Sequence, residues 1–329
     1  PLLAQRLRQT VKKGARFNLI NPVDDDLLMP VANKAIVAPS ALIETLARVV
    51  KAAAEIKSIA LPVAVAGVYV DAVARNIAQS LAAGQNRAIL LGNLAQHHPQ
   101  AGELHRLAQE LARIVDAKIG FLGEGANSVG GYLVGATPIA GAIRGMNAWQ
   151  MLAQPRKAYL LLHAEMDLDT FDPRAARAAM QSAELVVAMS PFRHALDYAQ
   201  VLLPVSPFTE TGGSFVNTEG RVQSFQAVVR PLGETRPAWK VLRVLGTLLE
   251  LPGFEYEAVE GVRADCAAAI GDMLARLDNA IQGEPTPLGT SAAGAARTGI
   301  ETVGIERTGI ERAVIERAGI ERIGEVPIY

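Results

Sequence analysis

The sequence predicts an α/β fold with two lobes and an irregular tail. Two observations support this prediction. Short runs rich in Ile, Leu and Val alternate with segments of helical periodicity, as in a parallel sheet covered by helices. The alternation starts again at residue 158, after a Gly-rich connection. We therefore assign a first lobe to residues 1–140, a second lobe to residues 141–282 and a low-complexity tail to residues 283–329.

Charge and cysteine content limit the class of protein. The 329 residues carry 32 basic and 33 acidic side chains, and a net charge of −1 argues against a nucleic-acid or membrane-surface binder. No apolar run approaches the roughly 20 residues of a membrane span, and the first residues lack the apolar core of a signal peptide. The single cysteine, Cys266, excludes an internal disulfide. These features predict a soluble protein of a reducing compartment.

The first predicted element is a helix. Leu3, Leu7 and Val11 recur with helical spacing, and Gly14 follows as a stop signal. The sequence ARFNLI, residues 15–20, then has the composition of a buried strand. Because a helix that leads into a buried strand normally follows an earlier parallel strand, we expect the chain to begin inside a βαβ unit.

The rest of the first lobe alternates helices and strands. Ser40 and Asp71 are the expected N-caps of two helices, and Gly84 is expected to end the second. The predicted elements are helices at 40–57, 71–83 and 101–117, and strands at 87–93 and 118–123.

The second lobe repeats the pattern. Asp172 followed by Pro173 is a typical helix start. The predicted elements are strands at 158–163, 184–190 and 200–206, a short helix at 192–198, and helices near 237–250 and 258–281.

The stretch FTETGGSFVNTEGRVQSF, residues 208–225, predicts a hairpin. It contains a short strand, a turn at Glu219–Gly220 and a second strand. Gly212, Gly213 and Gly220 are expected to take positive φ, which such turns often require. Judged by spacing alone, this stretch is a surface hairpin that caps a sheet.

The tail contains a repeat of five residues. GIETV, GIERT, GIERA, VIERA and GIERI follow one another over residues 299–323. A period of five aligns the isoleucines neither on one side of a helix nor on one face of a strand. We expect a solvated insertion in a surface connection, since five pentads are too few to bury the core of a β-helix.

The Gly-rich sequence GEGANSVGG is a candidate phosphate-binding loop. Gly123 and Gly125 match half of a G-x-G-x-x-G motif, but Ser128 stands where the third glycine belongs. No acidic residue ends a following strand about twenty residues later. Dinucleotide binding is therefore disfavoured.

Other reactive side chains give no catalytic set. His97, His98 and His105 are expected on or near a solvated loop, and the run Asp24, Asp25 and Asp26 lacks the alternating spacing of a calcium loop. No nucleophile is evident beside His163 or His194 of the second lobe. Cys266 is expected to be buried. We therefore predict no catalytic, cofactor-binding or metal-binding residue in this chain.

A resemblance to a known superfamily rests on the hairpin. The sequence YAQVLLPVSPFTETGGSFVNTEGRVQSF, residues 198–225, resembles the signature of the molybdopterin oxidoreductase superfamily. Within it, GARFNLINPVDDDLLMPV, GEGANSVGGYLVGATP and the closing IERIGEVPIY look most like the family of large iron–sulfur subunits of bacterial NADH-quinone oxidoreductase (respiratory complex I). The resemblance covers most of residues 1–282 and returns at 323–329.

The resemblance implies a fold of two Rossmann-like lobes, as in formate dehydrogenase and DMSO reductase. It also implies that the iron–sulfur ligands are cysteines in a preceding region, since Cys266 matches none of them. Members that bind molybdopterin typically carry a Gly-x-Asn-Pro loop where this chain has HAEMDLDTF, residues 163–171. We therefore expect no iron–sulfur cluster and no molybdenum in this segment.

The implied function belongs to an assembly that passes electrons from NADH to quinone. The expected partners are other peripheral-arm subunits of complex I, on the cytoplasmic side of the bacterial inner membrane, with no nucleic acid and no direct membrane insertion. Two alternatives remain. One is part of an active molybdenum or tungsten enzyme of the formate dehydrogenase or nitrate reductase type. The other is an independent nucleotide-binding α/β domain, such as the middle domain of a thiamine-diphosphate enzyme.

Overall fold

A computed structural model describes residues 2–138, 145–170, 172–272 and 279–281. Within these residues the chain divides into two compact units, and the first ends at Leu122 and includes residues 279–281. Both units mix helices with short strands, so the predicted α/β fold is confirmed. The pentad repeats at 299–323 and the rest of the predicted tail from residue 283 lie outside the described residues.

The first unit contains two pairs of parallel strands. Asn18 lies opposite Asn33 in one pair, and Ala88 lies opposite Lys118 in the other. The elements in chain order are α1 (Leu2–Lys12), β1 (Asn18–Asn21), β2 (Asn33–Ile36), α2 (Leu42–Lys57), α3 (Ala72–Ala83), β3 (Ala88–Leu91), α4 (Asn93–Gln96), α5 (Ala101–Val115) and β4 (Lys118–Phe121).

Helix α2 lies at the centre of this unit. It packs against α3 and α5, and both strand pairs contribute residues to the same core. The side chains of α2 that are fully removed from solvent are small: Ala47, Val49, Val50, Ala52, Ala53 and Ala54. Small side chains allow helix backbones to approach closely, which accounts for the Ala-rich sequence of this segment.

Helix α3 begins as the sequence predicts. Asp71 is its N-cap, and the carboxylate accepts a hydrogen bond of 2.7 Å from the Ala74 N–H. The same carboxylate forms an ion pair of 2.8 Å with Arg48 of α2. The predicted cap at Ser40 is wrong, because a 3₁₀ turn at Pro39–Ala41 precedes α2 and places Ala41 at the cap position.

Arg87 holds the ends of two helices together. Its guanidinium donates to the carbonyl oxygens of Leu81 (2.9 Å), next to the end of α3, and Val115 (2.6 Å), at the end of α5. It also reaches the carbonyl of Asp116 at 3.5 Å. Carbonyl groups at helix C-termini lack intrahelical partners and carry partial negative charge. A single cation therefore satisfies both helix ends.

The second unit is built on a parallel sheet in the order β5–β6–β7. An isolated bridge between Val205 and Arg236 extends it beyond β7. The elements in chain order are α6 (Ser128–Leu133), α7 (Ala148–Ala153), β5 (Ala158–Leu162), α8 (Pro173–Ser182), β6 (Leu185–Ser190), β7 (Val201–Pro204), β8 (Gly213–Val216), β9 (Val222–Phe225), α9 (Ala238–Leu248) and α10 (Val259–Ile270).

Two predicted helices of this unit differ from the structure. The segment 192–198 forms turns rather than a helix, and Ala195 takes a left-handed φ of +62° there. The helix predicted at 258–281 is shorter, since α10 ends at Ile270 and Gly271 follows with a φ of +64°. The helix start at Asp172 is confirmed, because its carboxylate accepts from two backbone N–H groups.

Replacing Asp71 by Ala should lower the free energy of unfolding by about 1–2 kcal/mol at pH 7, because the cap and the Arg48 partner are both lost. The hydrogen bond from the Ala74 N–H, and then the Arg48 guanidinium, lower the pKa of Asp71. A carboxyl group with a lower pKa in the folded state stabilises the protein above its unfolded pKa of about 3.9 and loses that contribution as the pH falls through the folded value. Urea unfolding at several pH values from 7 to 2 should show the difference between the two proteins shrinking below pH 4.

Asp24→Ala is the matched control. Asp24 pairs with Lys34 at 2.6 Å on the surface, where ion pairs contribute roughly 0–1 kcal/mol. If Asp71→Ala loses no more stability than the control, or if its loss of stability does not change with pH, Asp71 does not act as the cap and the partner of Arg48.

Candidate functional site

The carboxyl ends of the parallel strands β5 and β6 bring together two histidines and a serine. In open parallel sheets this edge is where ligands bind. His163 follows β5, and Ser190 ends β6. The His194 Nε2 lies 3.0 Å from the Ser190 Oγ, so the prediction that His194 has no nucleophile beside it is wrong.

The Ser190 hydroxyl group has a structural partner as well. Its oxygen accepts a hydrogen bond of 3.1 Å from the Phe192 N–H, and the residue is only 4% exposed. In the described part of the chain, no carboxylate orients the His194 imidazole, as a nucleophilic triad requires. The pair therefore closes the turn after β6 and has no relay for proton transfer.

The loop after β5 is closed by its own hydrogen bonds. The Asp169 carboxylate accepts from the Glu165 N–H at 2.7 Å, and the Thr170 hydroxyl donates to the Met166 carbonyl at 2.7 Å. Arg177 of α8 holds the loop through Asp167 at 3.0 Å. At the start of the loop, His163 takes a φ of +53°, and partial burial lowers its pKa.

The Gly-rich loop packs against the hairpin in the second unit. The Asn127 Oδ1 accepts a hydrogen bond of 2.8 Å from the Val216 N–H of β8. Val216 also shares a small apolar core with Leu133 and Ile270. The two sequence features singled out for possible function therefore form one structural element.

Two glycines of this loop lie close to neighbouring side chains. A β-carbon at Gly123 would lie 3.2 Å from the Thr218 methyl group, and one at Gly125 would lie 2.9 Å from the Ser128 Oγ. The helix that follows, α6, has six residues. A side chain at either position would meet a neighbouring residue, although both glycines are exposed to solvent.

The hairpin pairs β8 with β9 in antiparallel register. The Asn217 Oδ1 accepts from the N–H groups of Glu219 (3.0 Å) and Arg221 (2.9 Å), and Gly220 takes a φ of +80°. The positive φ predicted at Gly220 is confirmed. Within the described residues, the exposed side chains of Glu219 and Arg221 make no hydrogen bond or ion pair, so the tip presents one charge of each sign to solvent.

The positive φ predicted at Gly212 and Gly213 is wrong. Gly213 has a different reason to be glycine. It lies directly opposite Phe225, and a β-carbon there would come within 2.7 Å of the Phe225 ring. That ring also packs on Phe215, with a distance of 5.1 Å between ring centroids. A long-range ring contact, and not backbone conformation, excludes a side chain at position 213.

Two of the remaining histidines have structural contacts of their own. His98 is buried rather than solvated: its Nδ1 accepts from the Gln100 N–H at 3.0 Å, so its Nε2 carries the proton and donates to the Pro39 carbonyl at 3.2 Å. His105 packs edge-on against Phe121. In residues 2–138, 145–170, 172–272 and 279–281, no group of three or more His, Cys, Asp or Glu side chains is arranged to hold a metal ion.

The carboxylates of the Asp24–Asp26 run have separate roles. Asp24 pairs with Lys34, and the Asp26 Oδ1 accepts from the Leu28 N–H at 2.8 Å. Cys266 is half-buried on α10 rather than fully buried. Among the helices that the described residues form, none has both the length and the apolar character needed to cross a membrane.

Gly213→Ala should lower the free energy of unfolding by about 1–2 kcal/mol, because the new methyl group displaces the Phe225 ring. The same change in a Phe225→Ala background should cost much less, since the ring is gone. Thermal or urea unfolding of the four proteins of this cycle measures the coupling. Gly131→Ala is the control, because no atom lies within 4 Å of its added β-carbon. Equal losses in both backgrounds would contradict the ring contact.

Asn127→Ala should cost about 1–3 kcal/mol, since it leaves the N–H of the buried Val216 without its acceptor. Asn127→Asp keeps a side-chain oxygen and should retain most of the stability. Hydrogen exchange at the Val216 amide reports the contact directly: faster exchange is expected in the alanine variant only. Unchanged protection in that variant would show that the bond does not hold the loop to the hairpin.

Comparison with known proteins gives three kinds of similarity. The family model described as molybdopterin oxidoreductase matches residues 1–248. The chain is 44% identical over 68 residues to the mitochondrial NADH-ubiquinone oxidoreductase 78 kDa subunit of Candida albicans, and the match covers 20% of this chain and 9% of that protein. It is 35% identical over 81 residues to a putative formate dehydrogenase of Staphylococcus aureus, covering 24% of this chain and 8% of that protein.

A solved structure gives a more distant likeness. It is the formyltransferase/hydrolase complex from Methylorubrum extorquens in complex with methylofuran, at 19% identity, a TM-score of 0.46 and coverage of 68% of this chain and 61% of that chain. A similarity of this level supports no conclusion about function. The family model, by contrast, spans both the Gly-rich loop and the hairpin. The chain belongs to the molybdopterin oxidoreductase family.

Proposed function

We propose that this chain forms a structural part of the large iron–sulfur subunit of an NADH:quinone oxidoreductase. In this proposal the chain keeps the family fold and binds neither pterin nor metal. The iron–sulfur clusters and the electron path belong to other parts of the same large polypeptide. The chain supports them and contacts other subunits of the peripheral arm.

The loop after β5 is the observation that carries this proposal. Pterin-binding members are expected to have a Gly-x-Asn-Pro loop at this strand end, whereas this chain has a turn held by Asp169, Thr170 and the Arg177–Asp167 ion pair. A ligand that entered this loop would have to break several of these bonds. The contacts of Asp169 and Arg177 are exposed, whereas the Thr170–Met166 hydrogen bond is buried, and leaving its groups unpaired would cost about 1–3 kcal/mol.

The Gly-rich loop supports the same proposal. A pyrophosphate needs backbone N–H groups that a glycine leaves accessible. Here an added β-carbon at Gly123 or Gly125 would meet Thr218 or Ser128, and the Asn127 side chain accepts a hydrogen bond from the hairpin. In this proposal the loop holds no pterin dinucleotide, because Ser128 stands where the third glycine of a G-x-G-x-x-G motif belongs and Asn127 is bound to the hairpin.

The relatives support a redox assembly without deciding which one. The 78 kDa subunit has the higher identity, 44% against 35%, but both matches cover less than a quarter of the chain. The chain spans only 8–9% of these relatives in the matched stretch, so their activity, partners and location come to it as proposals. In this proposal the chain lies on the cytoplasmic side of the bacterial inner membrane, within a peripheral arm.

An active molybdenum or tungsten oxidoreductase is the second candidate. The putative formate dehydrogenases among the relatives and the intact hairpin favour it. In that case a metal-coordinating residue and most cofactor contacts would come from another part of the protein. The independent nucleotide-binding domain loses its support, because the chain belongs to the oxidoreductase family.

Metal content separates the two candidates. We expect the native protein that contains this chain, purified from membranes of cells grown with added molybdate, to contain iron but neither molybdenum nor tungsten. The purified protein should also oxidise NADH when an artificial electron acceptor is present. The 329-residue chain alone should contain none of these metals. Mass-spectrometric metal analysis measures this, and stoichiometric molybdenum with formate or nitrate turnover would contradict the proposal in favour of the second candidate.

A further inference from the structure

The first unit contains a cavity of about 340 Å³ between α1 and β1. This volume lies at the lower end of the roughly 300–1,000 Å³ of small-molecule sites. Its apolar wall consists of Leu7 from α1, Phe17 and Leu19 from the β1 segment, and Leu27 and Met29 from the loop that follows. All five side chains are only half-buried, and no described residue of α1 is fully buried. An apolar surface of this size is therefore left unfilled by the fold.

The lining of the cavity also contains charged groups. Asp25, Asp26 and Arg8 contribute to its lining. The Arg8 Nε donates to the Leu27 carbonyl at 3.2 Å, and the Asp26 Oδ1 accepts from the Leu28 N–H. Within the described residues, neither carboxylate forms an ion pair with Arg8, and the Asp25 side chain makes no hydrogen bond. The lining therefore carries two negative charges and one positive charge.

The position of the cavity agrees with ligand binding. Asn21, the last residue of β1, lines it together with the loop that leaves the carboxyl end of that strand. Ligands of open parallel sheets bind outside the carboxyl ends of the strands. This cavity lies in the first unit, whereas the Gly-rich loop and the hairpin belong to the second. The inference therefore does not depend on the proposed function.

We propose that this cavity binds a small amphiphile that carries one positive charge. The apolar chain of the ligand would occupy the space lined by Leu7, Phe17, Leu19, Leu27 and Met29. Its cationic group would lie at Asp25 and donate a hydrogen bond to that carboxylate, which has no partner among the described residues. An anionic head group would meet an excess of negative charge at the same place, so the preference for a cation follows from the charge of the lining.

Three probes of the same length test the proposal. Calorimetric titration of the full chain with n-octylamine, n-octanol and n-octanoate at pH 7 and low ionic strength compares a cation, a neutral molecule and an anion. We expect octylamine to bind at least tenfold more tightly than octanoate, with octanol between them. Added salt should narrow this difference, because it screens the carboxylates. Equal binding of the three probes, or no binding of octylamine at millimolar concentration, would overturn the proposal.

Three variants localise the binding. Asp25→Asn should reduce the preference for octylamine severalfold, whereas Asp24→Asn, which changes a neighbouring carboxylate outside the cavity lining, should leave it unchanged. Ala4→Phe should weaken the binding of all three probes, because Ala4 lines the cavity and the phenylalanine ring would occupy it. An unaltered preference in Asp25→Asn, or an equal effect of Asp24→Asn, would show that the cation does not bind here.

Discussion

The first unit depends on the burial of a single helix, α2, from several sides. Pairs of short strands are marginal by themselves, and this unit contains two such pairs. Both pairs contribute to the core that surrounds α2, together with α3 and α5. The run from Ala52 to Ala54 is fully buried and allows the surrounding backbones to come close. Strand β1 packs on α2 and β2 on α3, whereas β3 and β4 pack on α5, so both strand pairs are connected to α2 through the helices around it.

The second unit shows that a family signature can have a structural role. The hairpin and the Gly-rich loop keep the sequence features of the family, and the structure explains them by contacts within the chain. Asn127 binds the backbone of β8, Asn217 organises the hairpin turn, and Gly213 leaves room for Phe225. These contacts are made within the chain and do not require a ligand. The sequence signature is therefore stronger support for the fold than for a cofactor.

Features that depend on neighbours along the chain could be predicted from sequence, whereas features that depend on distant partners could not. The helix starts at Asp71 and Asp172 and the turn at Gly220 follow from local hydrogen bonding and backbone conformation. The burial of His98 against Pro39, fifty-nine residues away, has no local signal. Within the candidate site, both segments were recognised, but their contact through Asn127 and Val216 spans eighty-nine residues and became visible only in the fold.

The contact that Arg87 makes with the ends of α3 and α5 has a consequence for alkaline conditions. The guanidinium group of an arginine stays protonated at any pH at which proteins remain folded, whereas a lysine ammonium begins to lose its proton near pH 10. The carbonyl groups of Leu81 and Val115 therefore keep a charged donor throughout that range. A lysine at this position would make the junction of the two helices sensitive to base, and it would offer one point charge in place of a planar donor group that reaches both helix ends at once.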